Sequence, residues 1–240
     1  MLFMRPHRAY RAIAPAMCLS VLACGAVGPS HAAEPAAPSA ESEKHRERPV
    51  LKELWPVLRN KAARIYYEAI CPADENYPLA FPRVEVRPPS DKATDLAAVR
   101  SMFREQHAVS VAEDAPGIIR IRIGEAPDAI LGTRIPTLTL KPIEQYNPLP
   151  AIWAIENAPE VRSAMERLRI VLPVRAVNLP VLMPAEGLPH LPSEISNVTM
   201  DQALDMVART WSGIVLYGAC SPPDTYEVSF AGNAPGGLRF

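Results

Sequence analysis

The chain has 240 residues, enough for one large domain or two small ones, each with its own core. Hydrophobic residues make up 48%, which excludes a wholly disordered chain, and 27 prolines limit the length of helices and central strands. With 25 basic against 26 acidic residues the formal net charge is −1, so there is no basic excess to follow a phosphate backbone, and nucleic acid is not an expected partner.

The N-terminus has the three parts of a secretory signal. Basic residues run from Arg5 to Arg11, an apolar run follows from Ala12 to Val27, and small residues around Ser30-His31-Ala32 suit cleavage after Ala32 or Ala33. The apolar run is short for a membrane span and is broken by Pro15. Two alternatives stay open: retention as a membrane anchor, and lipidation at Cys24, since Val21-Leu22-Ala23-Cys24 resembles a bacterial lipobox. Cleavage removes Arg5, Arg8 and Arg11 and no acid, leaving a net charge of −4. The expected location is therefore periplasmic or secreted, with no transmembrane span in the mature chain.

Residues 34–49 mix Ala, Pro, Ser and charge without an apolar period and are expected to be a disordered linker. From Leu51 to Ala69, Leu51, Leu54, Trp55, Leu58, Ala62, Ile65 and Ala69 fall on one helical face. Pro56 fits such a helix only in its first turn, so the spacing predicts a helix from near Trp55 that stops at Cys71-Pro72. A loop to Pro82 and a short alternating strand, Arg83 to Arg87, come next.

Asp95 to Gln106 reads as a helix carrying Leu96, Val99, Met102 and Phe103, followed by strands Ala108–Val111 and Ile118–Ile123 around an Ala115-Pro116-Gly117 turn. The middle of the chain offers a short helix at Pro127–Gly132 and a strand at Thr137–Leu140. Helices begin at Pro148 or Pro150 and at Pro159, the last with Val161, Met165 and Leu168 inward. Strands at Val174–Val177 and Pro180–Met183 then lead into the proline-rich stretch Pro184–Pro192. That stretch reads as a stiff surface connector or a recognition loop.

Ser196 to Phe230 spells out a complete unit. Met200, Ala203, Leu204, Val207, Ala208 and Trp211 form one helical stripe, while Asp201, Gln202, Asp205, Arg209 and Thr210 lie on the opposite, solvent-directed face. Thr199 and Gln202 have capping-box spacing. Ile214–Tyr217 and Tyr226–Phe230 are read as a hairpin. Shifted by 105 residues, this unit overlays the one at 95–123: Val109 falls on Ile214, Val111 on Leu216, Ile121 on Tyr226 and Ile123 on Val228. The expected fold class is thus α+β, with small mixed or antiparallel sheets packed by amphipathic helices and two αββ-type units. Its divisions are a signal peptide 1–33, linker 34–49, an N-terminal unit 50–125, a Pro-rich connector 126–192 and a C-terminal unit 193–240.

Of four cysteines only Cys71 and Cys220 stay in the mature chain, and without CxxC spacing in an oxidising compartment they predict one structural disulfide. Of five histidines only His107 and His190 fall inside the fold, and neither has a second ligand at metal spacing, so no metal site is expected. No GxSxG, Ser-x-x-Lys, P-loop or GxGxxG occurs, and no catalytic or cofactor-binding residue is named. The acid pairs Asp201/Asp205 and Glu160/Glu166 read as solvated helix faces.

The run Val198-Thr199-Met200-Asp201-Gln202-Ala203-Leu204-Asp205-Met206-Val207-Ala208, followed by Gly213-Ile214-Val215-Leu216-Tyr217, resembles the short N-terminal domain of secretins and TonB-dependent receptors. The resemblance covers about 35 residues; the family module continues with a further strand and helix that this chain does not show. It implies a periplasmic αβ module that docks on an envelope protein, without catalytic residues. The expected function is an exported, non-enzymatic binding or assembly module, accessory to an envelope secretion or transport machine. Ile118–Ile123 and Thr225–Phe230 are its candidate docking edges, and Arg120 and Arg122 are candidate protective charges on the first. The alternative is a small envelope hydrolase with a loop-built active site, for which a pocket with two carboxylates, or His107 or His190 beside an acid, would speak.

Overall fold

In the computed structural model the described residues are 49–71, 79–87, 95–114, 117–125, 129–170, 183–221 and 224–232. They form six helices and seven strands in a mixed α+β fold. In chain order the elements are α1 (Pro49–Leu58), β1 (Ala63–Glu68), α2 (Asp95–Met102), β2 (Val109–Asp114), β3 (Ile118–Ile123), β4 (Arg134–Thr139) and α3 (Pro142–Tyr146). Next come α4 (Pro148–Glu156), α5 (Pro159–Leu168), β5 (Glu194–Thr199), α6 (Met200–Thr210), β6 (Ile214–Cys220) and β7 (Thr225–Ala231).

Five strands make one sheet in the order β2-β3-β1-β6-β7. The centre is parallel: β1 pairs with β3 from Ala63↔Ile119 and with β6 from Ala63↔Ile214. Both flanks are antiparallel, β2 on β3 and β7 on β6. Strands from the two αββ stretches therefore share a single sheet around β1. A separate two-stranded antiparallel ribbon joins β4 to β5, and β5 runs directly into α6.

The period of two along each strand splits the apolar side chains into two layers. Ala63, Ile65 and Tyr67 of β1, Ile119 and Ile121 of β3, and Ile214 and Leu216 of β6 face α1 and α2, which contribute Leu51, Leu54, Leu58, Val99 and Met102. On the other face Val215, Tyr217, Tyr226, Val228 and Phe230 pack with Ile152 and Ile155 of α4, Val161 and Met165 of α5, and Leu204 and Val207 of α6. Helices α2 and α6 thus lie on opposite faces. The overlay by 105 residues matches outer β2 to inner β6 and inner β3 to outer β7, so it records a shared local order and not a shared placement.

The expected helix through Ala69 is the main correction. Helix α1 begins at Pro49 and ends at Leu58, with Pro56 on its exposed side in the interior. The turn at 59–61 follows, and Ala63–Glu68 is the central strand. Flanked by parallel strands and covered on both faces, β1 buries every residue from Ala63 to Tyr67 and shows no alternation, so its apolar positions also fit a helical period. Residues 83–87 alternate half-buried Val84 and Val86 with exposed Arg83, Glu85 and Arg87, but join no ladder among the described residues. The stretch 129–132 is turn rather than helix, and residues 126–128 lie outside the description.

Cys71 and Cys220 are joined by a disulfide across a sequence separation of 149, with Cα atoms 5.4 Å apart. It fastens the chain just after β1 to the end of β6, beside the hydrogen bond from Ala69 N to Ala219 O. No helix among the described residues is long and apolar enough to cross a membrane. Cys24, Ala32, Ala33, most of the linker, the strand expected at Val174–Val177 and, apart from Met183, the strand expected at Pro180–Met183 lie outside the described residues.

Candidate functional site

Among the described residues, buried charge is concentrated between α6 and the sheet. Even-numbered residues of β1 and β3, Arg64, Tyr66, Arg120 and Arg122, project to the face that α6 crosses. Helix α6 is started by the capping box read from the sequence: Thr199 Oγ1 accepts from Gln202 N at 3.2 Å, and Gln202 Oε1 accepts from Thr199 N at 2.8 Å. That start sets Asp201 and Asp205, one turn apart, over β1 and β3.

Arg64 is completely buried, and its Nη1 donates to Asp205 Oδ1 at 2.8 Å and to Asp201 O at 2.9 Å. Its Nη2 lies 3.0 Å from Asp201 Oδ1, close enough for ion pairing but off the hydrogen-bond direction. Arg120 Nη2 donates to Asp205 Oδ2 at 2.6 Å, and its Nη1 reaches Asp201 Oδ2 at 3.2 Å and the Tyr66 hydroxyl. Tyr66 in turn donates to Asp201 Oδ1 at 2.7 Å. Its ring is ringed by cations, with the guanidinium carbons of Arg64 and Arg122 each 4.9 Å and that of Arg120 5.7 Å from the centroid.

Asp201 and Asp205 are therefore not a solvated helix face. Asp205 is 7% exposed, because the helix face opposite the apolar stripe meets a buried arginine instead of water. Burial pushes the Asp205 carboxyl above its usual range; Arg64 and Arg120 pull it down and Asp201 raises it further. Burial likewise pushes the Tyr66 phenol up, with Arg64 and Arg120 opposing and Asp201 adding to the rise. These groups are tied to one another, and what the arrangement does chemically is lock α6 to β1 and β3. The one sequence signal for it was Arg64, a charge within an apolar run.

The structure also relocates the docking edges. Ile118–Ile123 is β3, an interior strand between β2 and β1, so Arg120 and Arg122 are not edge charges. The sheet edges are β2 and β7. On β7, Thr225, Glu227 and Ser229 already have partners. On β2, the bond from Gly124 N to Ala108 O fixes the phase of the ladder: Ser110 and Ala112 bond to β3, while the backbone groups of Val109, Val111 and Glu113 point away from it. Val109 N donates to Gln106 O and Val111 O accepts from Arg100 Nε at 3.2 Å. Val109 C=O, Val111 N–H and both backbone groups of Glu113 have no partner among the described residues.

A cleft of about 130 Å³ lies at the far end of the sheet, lined by apolar side chains, Tyr217 and Tyr226, with Asp224 as its one carboxylate. His107 is exposed on the α2–β2 connection. His190 stacks on Tyr146 at 5.0 Å and its Nδ1 lies 3.0 Å from Leu188 O. Among the described residues no group of three His, Cys, Asp or Glu side chains could hold a metal ion. No protein-family model, no curated protein and no solved structure matches the chain.

Proposed function

We propose that this protein is an exported, non-catalytic binding or assembly module of the cell envelope, which accepts an extended segment of a partner protein along β2. The observation that carries the reading is the open side of that strand. Among the described residues its six residues are paired to β3 on one side only, and four outward backbone groups at Val109, Val111 and Glu113 have no partner, so they can bond a further strand. The half-buried side chains of Val109 and Val111 extend the α1/α2 core layer to this edge, so an added strand would gain apolar contact on that face.

A leader-like N-terminus and the Cys71–Cys220 disulfide support an oxidising compartment, the periplasm or the exterior. The resemblance of residues 196–230 to the short N-terminal domain of secretins and TonB-dependent receptors supports a partner within an envelope secretion or transport machine.

A photo-cross-linking residue placed at Glu113, and separately at the exposed Arg162 of α5, tests the reading in intact cells. Val111→Pro serves as the control, since it removes an outward N–H and leaves the β2–β3 ladder bonds in place. The expected result is one envelope adduct from Glu113 that is absent from Arg162 and lost in Val111→Pro. Identical adducts from both positions, or an adduct indifferent to Val111→Pro, would contradict it.

A further inference from the structure

Resting on the docking reading above, we propose that β2 selects a particular kind of strand: one that alternates, with apolar residues flanking a central carboxylate on the side that faces α2. The selecting group is Arg100. It stands in the last turn of α2, exposed, and its Nε reaches the outward carbonyl of Val111 at the middle of the edge. No carboxylate whose side chain is described pairs with it. A guanidinium has five donors and Arg100 commits one of them, at 3.2 Å, to the outward carbonyl of Val111, which leaves four donors beside this edge for a partner's carboxylate.

The rest of the edge sets the pattern around that charge. Val109 and Val111 lie on the α2 side, half-buried against the core layer, and suit apolar neighbours on the same face of an incoming strand. Glu113, also on that side and exposed, repels an acid placed opposite it, so the favoured carboxylate lies opposite Val111. Ser110 and Ala112 occupy the other face, are small and exposed, and discriminate little. Arg100 also disfavours pairing of this edge with a second copy about Val111, because two such arginines would meet on the two-fold axis. The same charge that opposes self-pairing is one that an acidic partner neutralises.

Three peptides on one scaffold test this with the whole chain: Thr-Val-Thr-Glu-Thr-Val-Thr and its versions with Gln or Lys at the centre, blocked at both ends. Binding is read from the amide shifts of Val111, Ala112 and Glu113 during NMR titration. The expected order of affinity is Glu, then Gln, then Lys. The Glu peptide should bind about two- to five-fold more tightly than the Gln peptide, the range for a solvent-exposed ion pair. Arg100→Glu should reverse the order. If all three peptides bind β2 equally in the unaltered protein, the acid preference is wrong and the docking reading survives. If none shifts the β2 amides of the folded protein, both fall.

Discussion

Arg64, with no exposed surface on the central strand, meets Asp205 of α6 at 2.8 Å across a sequence distance of 141 residues. The pair joins the first strand of the sheet to the last described helix, and Arg120 and Asp201 close the network around it. Removing Arg64 takes from Asp205 its completely buried cation and leaves it with Arg120 alone of the two. Arg64→Met should therefore destabilise the fold by about 3–5 kcal/mol in urea unfolding, whereas Arg64→Met combined with Asp205→Leu should recover most of that loss. A double variant as unstable as the single one would show that the network contributes more than mutual neutralisation.

The pH dependence of stability has a definite sign. Burial raises the Asp205 carboxyl in the folded state above its unfolded value of about 3.9, despite Arg64 and Arg120. The folded protein thus holds a proton at pH values where the unfolded chain has released it. The resulting stabilisation is fully present below about pH 3.9 and is lost as pH rises through the folded value. Relative to Asp205→Asn, the unaltered protein should gain stability on acidification across that window. The same direction means that the buried carboxylate is held at a net cost, which agrees with recovery in the paired substitution. A difference between the two proteins that grows with rising pH would refute the assignment.

The disulfide closes a loop of about 150 residues, for which chain entropy gives an upper value of about 4–5 kcal/mol. Cys71→Ala with Cys220→Ala should lower the urea midpoint by a margin consistent with that bound. Reductant should lower the midpoint of the unaltered protein and leave the double variant where it is.

Gly218 marks the tightest approach in the sheet, because a Cβ there would overlap the ring of Tyr67, itself fully buried and packed at a tilt on Phe81, ring centroids 4.4 Å apart. Gly218→Ala should cost about 1–3 kcal/mol by overpacking, while Gly132→Ala, where a Cβ meets nothing within 4 Å, should be close to neutral. Thermal unfolding of the two variants makes the comparison.

What the sequence revealed follows from where each signal arises. Helix α6 was legible because its capping box and its apolar stripe are local, and Thr199, Gln202 and Leu204 sit where the spacing puts them. Strand β3 was legible as a strand, since Ile119, Ile121 and Ile123 alternate with Arg120 and Arg122, but its place in the sheet was not: edge or interior depends on β1 docking beside it. Strand β1 itself was hidden. Buried on both faces and paired in parallel on both sides, Arg64-Ile65-Tyr66-Tyr67 carries no period of its own, and the leucines of α1 lent it a helical one. The Asp201/Asp205 site was missed for the same reason, because its partners Arg64 and Arg120 reach it only through that sheet order.

The central claim is that β2 presents an open edge, and residue-resolved hydrogen exchange along that strand tests it most directly. The β2–β3 ladder holds the amides of Ser110 and Ala112, whereas those of Val111 and Glu113 face outward. Protection should therefore alternate in the free protein, slow at Ser110 and Ala112 and fast at Val111 and Glu113. Uniform protection across all four amides would mean that the edge is already covered, and the docking account would be wrong.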